Sequence, residues 1–91
     1  MADLPDLSRI EGFDWERHRV AFYECEEAFF HDPVLAPDFG HSGAEQRYFA
    51  FGCTVRRRLL TIVFTMRKNK ICVVSARDMN RKERKKYHET L

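Results

Sequence analysis

The first regular pattern along the chain begins at Phe22. Phe22, Cys25, Ala28 and Phe29 recur at three- and four-residue steps, with Glu24, Glu26 and Glu27 on the other side. That is the period of an amphipathic helix. Asp32-Pro33 ends it, because the residue before a proline is pushed out of helical geometry. The spacing therefore predicts a helix over 22–31. Residues 33–45 contain Pro33, Pro37, Gly40 and Gly43 and read as a long connection. From Arg47 to Cys53 the period falls to two, with Phe49, Phe51 and Cys53 alternating with Tyr48 and Ala50. Leu59 to Met66 puts Leu60, Ile62, Phe64 and Met66 on one face, and Leu59, Thr61, Val63 and Thr65 on the other. Arg67-Lys68-Asn69-Lys70 reads as a hairpin turn, where asparagine tolerates positive φ. Ile71 to Arg77 is a third strand. Such short links favour an antiparallel meander.

The last segment is a helix from Arg81 to about Thr90. Asn80 caps it and Glu83, three residues on, closes a capping box. Its apolar content is thin: Tyr87, then Leu91 one turn later. Helical steps bring Arg77, Arg81, Arg84 and either Tyr87 or His88 to one side. At the other end, residues 1–12 contain Pro5 and no periodicity, and are expected to be a flexible arm. Phe13-Asp14-Trp15 reads as a short extended piece.

Composition narrows the class. The 91 residues fit a single domain over 1–91. No run approaches the ~18 apolar residues of a membrane span, and the first twelve residues lack the apolar stretch of a signal peptide. Three cysteines without a CxxC pair fit a reducing cytoplasm better than a disulfide scaffold. Cys25, Cys53 and Cys72 are read as small core residues. Histidines and cysteines show no zinc spacing, so no metal and no cofactor is expected. The net charge of +2 conceals an asymmetry. Residues 1–46 carry three bases against eleven acids, and residues 47–91 thirteen bases against three acids. That imbalance suggests a polyanion partner for the second half, with the solvated surface of a small protein as the alternative.

Several segments, in order, resemble the BrnT family of type II toxins, relatives of the RelE/ParE superfamily. They are Phe13-Asp14-Trp15; Arg17-His18-Arg19-Val20-Ala21-Phe22; Glu26-Glu27-Ala28-Phe29-Phe30-His31-Asp32-Pro33; His41-Ser42; Glu45-Gln46-Arg47-Tyr48; and Gly52. The strand Leu60 to Thr65 follows, then Val74-Ser75-Ala76-Arg77, Arg81-Lys82-Glu83-Arg84 and Tyr87. The resemblance runs from about Phe13 to Tyr87. It implies an α+β fold, a small twisted antiparallel sheet of three to four strands with helices packed on one face. It also implies ribonuclease activity and silencing by a BrnA-type ribbon-helix-helix antitoxin, through which operator DNA is bound. Three departures stand out. The helical stretch usually found between the tryptophan motif and the Lys-His motif is missing here. Arg19 stands where the family has a glycine, which suggests a changed turn. Cys72 stands where it has an arginine.

RNA cleavage needs a deprotonated 2′-hydroxyl, a stabilised phosphorane and a protonated leaving oxygen. Fixed cations do the second job. Arg77, at the end of a strand and in the Ser-Ala-Arg motif, is the leading candidate to grip the scissile phosphate. The competing role is an ion pair with Glu45 or Asp14. His18 is the candidate general acid or base by motif match; capping the neighbouring helix is its alternative. Arg47 could lie beside Arg77. Tyr87 could stack on a base or donate a proton, or hold the helix to the sheet. Arg17, Lys70, Arg81 and Arg84 are candidate RNA contacts, and Arg56-Arg57-Arg58 a solvated turn that attracts RNA nonspecifically. His31, His41 and His88 are read as bystanders. The expected protein is thus a metal-independent, cytoplasmic endoribonuclease toxin that touches no membrane. The alternative is a degenerate relative that only binds its antitoxin; a plain nucleic-acid binder has no motif behind it.

Overall fold

The computed structural model describes residues 7–9, 19–38, 40 and 45–90. Its elements are β1 (Leu7–Arg9), α1 (Phe22–Phe30), β2 (Val34–Asp38), β3 (Arg47–Cys53), β4 (Leu59–Arg67), β5 (Lys70–Asp78) and α2 (Arg81–Thr90). The strands form one sheet in the order β1-β5-β4-β3-β2. The pairs β2–β3, β3–β4 and β4–β5 are antiparallel, and β1 joins β5 in parallel. The α+β class and the antiparallel meander are as the sequence predicts.

Two strands lie where the pattern gave none. Leu7–Arg9, inside the stretch expected as an arm, pairs with Ile71, Cys72 and Val73. Val34–Asp38, inside the expected connection, pairs with Arg47 to Phe51. Strand β2 sits at the sheet's edge, where a proline such as Pro37 is tolerated because one side of the strand needs no ladder hydrogen bonds. The β4–β5 hairpin turns on Lys68 and Asn69, both at positive φ (50° and 64°), the pairing that suits a two-residue type I′ loop. The register slips between Val63 and Phe64, a bulge that bends the strand pair.

The main core lies between α1 and one face of the sheet. Cys25, Ala28 and Phe29 of α1 meet Ala50, Leu60, Ile62, Phe64, Val73 and Ala76. Phe29 stands edge-on to Phe64 (centroids 5.2 Å apart), and Tyr48 stacks on the same ring at 5.4 Å. Cys25 is fully buried. Burial first, then Glu24 and Glu26, push its thiol up to about 12, so it stays protonated and packs as a small apolar side chain. Cys72 is buried too, but Cys53 is only half-buried and lies on the other face, a correction to its reading as core.

Gly52 fixes the distance between α1 and the sheet. A Cβ there would come within 2.9 Å of both the Ala28 Cβ and the Ala28 carbonyl oxygen. The helix therefore rests directly on the β3 backbone.

The second helix does not join α1. Thr61, Phe51 and Arg77 share a register row on the face opposite Gly52 and Leu60, and α2 binds this far face through Glu83. The two helices thus cover opposite faces of the sheet rather than one. The acidic α1 lies on one side and α2, with Arg81, Lys82, Arg84, Lys85 and Lys86, on the other. Arg58, expected as a solvated turn residue, is a tie. Its guanidinium donates to Asp78, to Glu24 and to the Arg19 carbonyl. Arg19 itself has φ of 54°, the left-handed conformation that glycine favours.

The Gly52 contact predicts that Gly52→Ala costs about 1–3 kcal/mol, the usual range for overpacking, because a backbone carbonyl rather than a flexible side chain must give way. Urea unfolding of the two proteins measures it, and equal midpoints would refute the close helix–sheet contact.

Candidate functional site

The far face owes its shape to one carboxylate. Glu83 Oε1 accepts from the Asn80 N–H at 2.9 Å, and Asn80 Oδ1 accepts from the Glu83 N–H at 2.8 Å. This is the capping box the sequence predicts. The same oxygen accepts from the Thr61 hydroxyl on β4 at 3.0 Å. Arg77, at the end of β5, grips Glu83 with both terminal nitrogens, at 2.7 and 2.9 Å. Helix α2 buries only Tyr87 among its side chains, so this polar joint substitutes for an apolar stripe.

The ion pair weighed for Arg77 therefore exists, but with Glu83; Glu45 pairs with Arg67 instead, at 2.6 and 2.8 Å. The Glu83 bonds raise the Arg77 guanidinium above its ordinary range. Burial pushes the Glu83 carboxyl up, but the bonds from Arg77, Asn80 and Thr61 outweigh it and leave it below 4.5. Arg77 also donates to the Asp78 carbonyl at 3.1 Å. Its side chain remains 43% exposed.

Two clefts flank α2. One, of about 360 Å³, lies between the helix and the edge strands, with Val34, Ala36, Phe49 and Phe51 as its floor and Lys82 and Lys86 on its rim. Phe49 and Phe51 stack there at 5.7 Å. The other, of about 380 Å³, lies at the helix's far end, and Tyr87 lines both. Tyr87 is buried. Burial, then the nearness of Cys53 and Asp32, raises its phenol above 10, which suits an anchor better than a proton donor at neutral pH.

The predicted residues fall into three places. Arg77, Tyr87, Arg81 and Arg84 gather around α2, with Arg81 and Arg84 exposed. Arg47 pairs with Thr65, whereas Arg77 pairs with Thr61. At ~3.3 Å per strand residue, the two arginines are therefore separated by ~13 Å along the sheet. They share a face but do not lie side by side. Lys70 is further still, at the β4–β5 turn. Arg17 and His18, with Phe13-Asp14-Trp15, lie outside the described residues. Among the described residues, no group of three or more His, Cys, Asp or Glu is placed to hold a metal, and no helix is long and apolar enough to cross a membrane. Sequence reasoning missed Glu83 as the partner of Arg77, although its place in the capping box was the available signal. His31 and His88, read as bystanders, both line the second cleft.

Glu83 titrates lower in the folded chain than its ordinary 4.5. Its contribution is thus complete above about that pH and is lost as pH falls through the folded value. Asp78, held down by hydrogen bonds from Arg58, and Glu45, held down by those from Arg67, act in the same direction. Glu83→Gln is expected to destabilise the chain at pH 7 by ~1–3 kcal/mol. It is also expected to flatten, without abolishing, the loss of stability below pH 4.5. Unfolding midpoints measured from pH 7 to pH 3 check this; parallel curves for the two proteins would contradict it.

Compared with known families, residues 12–83 match the family model described as "Ribonuclease toxin, BrnT, of type II toxin-antitoxin system". No curated protein matches the chain.

Proposed function

The chain belongs to the BrnT family of ribonuclease toxins of type II toxin–antitoxin systems, and on that premise we propose that it cleaves RNA in the cytoplasm as a metal-independent endoribonuclease. The observation that carries this reading is the basic helix α2 tied beside Arg77 on the far face of the sheet. Arg77 spends three of the five guanidinium N–H donors within the chain. The remaining two are available to a phosphate oxygen, where charge develops as the phosphorane forms. Exposed Arg81 and Arg84 hold the neighbouring backbone, and Arg47 and Lys70 take phosphates further along the same strand. Tyr87 fixes the helix at the site. The resemblance alone supports Arg17 as a contact and His18 as a proton carrier.

The reaction is an attack of the 2′-oxygen on the adjacent phosphorus. The P–O2′ bond forms, the P–O5′ bond breaks, and the proton of the 2′-hydroxyl is replaced by one delivered to the 5′-oxygen. The products are a 2′,3′-cyclic phosphate and a 5′-hydroxyl. Silencing falls to a BrnA-type ribbon-helix-helix antitoxin that also carries operator binding. On the α1 side, exposed Phe30, Leu35 and Met66 around an apolar hollow floored by Phe29 and Phe64 support a protein partner, since exposed apolar patches mark such contacts.

The test is cleavage of purified RNA, with and without ribosomes, by the wild-type chain and by Arg77→Ala. The wild type is expected to cut and the variant to be slower by about 10²-fold, the usual loss of one charge-stabilising donor. Equal rates would remove Arg77 from the site. Absence of cutting by the wild type under both conditions would leave a chain that acts only by binding its antitoxin.

A further inference from the structure

The cleft between α2 and the edge strands has an apolar floor that stands outside the buried core. Val34, Phe51, Thr61 and Arg77 form one register row across β2, β3, β4 and β5, and Ala36, Phe49 and Val63 lie two residues away on the same face. Val34, Ala36, Phe49 and Phe51 are half-buried and floor a volume of about 360 Å³, within the range of pockets that hold small ligands. Phe49 and Phe51 lie stacked, with ring centroids 5.7 Å apart and planes 25° from parallel. Lys82 and Lys86, both exposed, stand one helical turn apart and line the rim together. Glu83 is also in the wall, and the Arg77 guanidinium holds both of its oxygens. The cleft thus begins one side chain from Arg77. At ~4.8 Å per strand spacing, the Phe51 and Arg77 backbones are ~10 Å apart across the sheet.

We infer that this cleft takes the base of the nucleotide beside the scissile phosphate of a single-stranded RNA, with Phe49 and Phe51 as its stacking platform and Lys82 and Lys86 as the cations for the next phosphate. The inference rests on the ribonuclease reading above, which places the scissile phosphate at Arg77. The separation of Phe51 from Arg77 is about what one nucleotide spans from its phosphate to the far edge of its base. Unpaired bases are held by stacking on aromatic side chains, with cations tracking the backbone, and both parts are present here. The lysines favour a nucleotide over an apolar peptide, because a nucleotide brings the phosphate that they pair with. A protein partner finds its apolar surface on the opposite face, at exposed Phe30, Leu35 and Met66. Arg47 lies two positions before Phe49 on β3 and shares its face, so a strand crossing the floor runs from Arg77 toward Arg47. A base paired in a duplex keeps its faces within the stack and does not enter. Stacking accepts any base, and the floor is wholly apolar. The cleft therefore selects unpaired RNA rather than a sequence.

The experiment titrates an uncleavable 2′-O-methyl RNA, single-stranded or annealed to its complement, against the full chain. The variants are Phe49→Leu, Phe51→Leu and the double variant Lys82→Gln with Lys86→Gln. Leucine keeps the floor apolar and removes the aromatic face. The wild type is expected to bind the single strand more tightly than the duplex. Each leucine variant should bind the single strand about 10-fold more weakly, the size of one lost base–aromatic stack, and the duplex as the wild type does. Unchanged duplex binding separates a lost stack from a lost fold. The double lysine variant, altered only at exposed positions, should lower the slope of log affinity against log salt by about 1.4 for the single strand, the share of two phosphate contacts. Single-strand binding by both leucine variants equal to the wild type overturns the inference, as does equal weakening on single strand and duplex. Weaker binding of the antitoxin by the leucine variants, with RNA binding intact, overturns it in favour of a protein in the cleft. In each of these cases a wild type that cuts RNA leaves the ribonuclease reading standing. A wild type that neither binds nor cuts RNA overturns both.

Discussion

The placement of α2 depends on the Glu83 carboxylate. One oxygen closes the helix cap with Asn80 and takes the Thr61 hydroxyl, and both take the Arg77 guanidinium. Cap, central strand and last strand therefore meet at a single group. A helix whose only buried side chain is Tyr87 has little apolar surface with which to choose a position, so the polar joint at one end and the aromatic ring at the other define how it lies. Both clefts follow from that placement, since each has α2 as one wall. The same bond partly occupies Arg77, so the group that stabilises the helix also sets how much of the arginine is left for a phosphate.

The sheet separates the charges of the chain. Acidic α1 packs on one face against an apolar core, and basic α2 lies on the other. Arg58 bridges from the β3–β4 turn to Glu24, Asp78 and the Arg19 carbonyl, which joins the entry of α1 to the end of β5. It is partly exposed, and its hydrogen bonds with Asp78 and Glu24 hold it firmly charged against the cost of burial. The face that carries the cations is also the one less filled by apolar side chains, a division that suits a polyanion on one side and an apolar partner on the other.

The readable parts of the sequence were those where one face is buried. Phe22, Cys25, Ala28 and Phe29 announce α1, and the alternation in 47–53, 59–66 and 71–77 announces β3, β4 and β5, because each packs one side into a single core. The capping box at Asn80 and Glu83 was legible for a local reason, since both partners lie within four residues. Strand β2 was not legible. As an edge strand containing Pro37 and exposing Leu35, it carries neither the alternation nor the composition of a paired strand. The side taken by α2 was hidden for a related reason, since Tyr87 alone gives no stripe to orient it. Of the candidate site, Arg77 and its neighbours on α2 were visible through motif and helical spacing. The Arg77–Glu83 pair, six residues apart, depends on how α2 turns back onto the sheet, and the cleft lined by both His31 and His88 joins segments far apart in the chain; no spacing encodes either.

The central claim is that RNA lies along α2 on the far face. Hydrogen–deuterium exchange of the chain with and without an uncleavable 2′-O-methyl RNA tests it most directly. The account predicts slowed exchange in α2 and at the end of β5 around Arg77, with α1 unchanged. Protection confined to the acidic body of α1, with α2 exchanging as in the free chain, would contradict it.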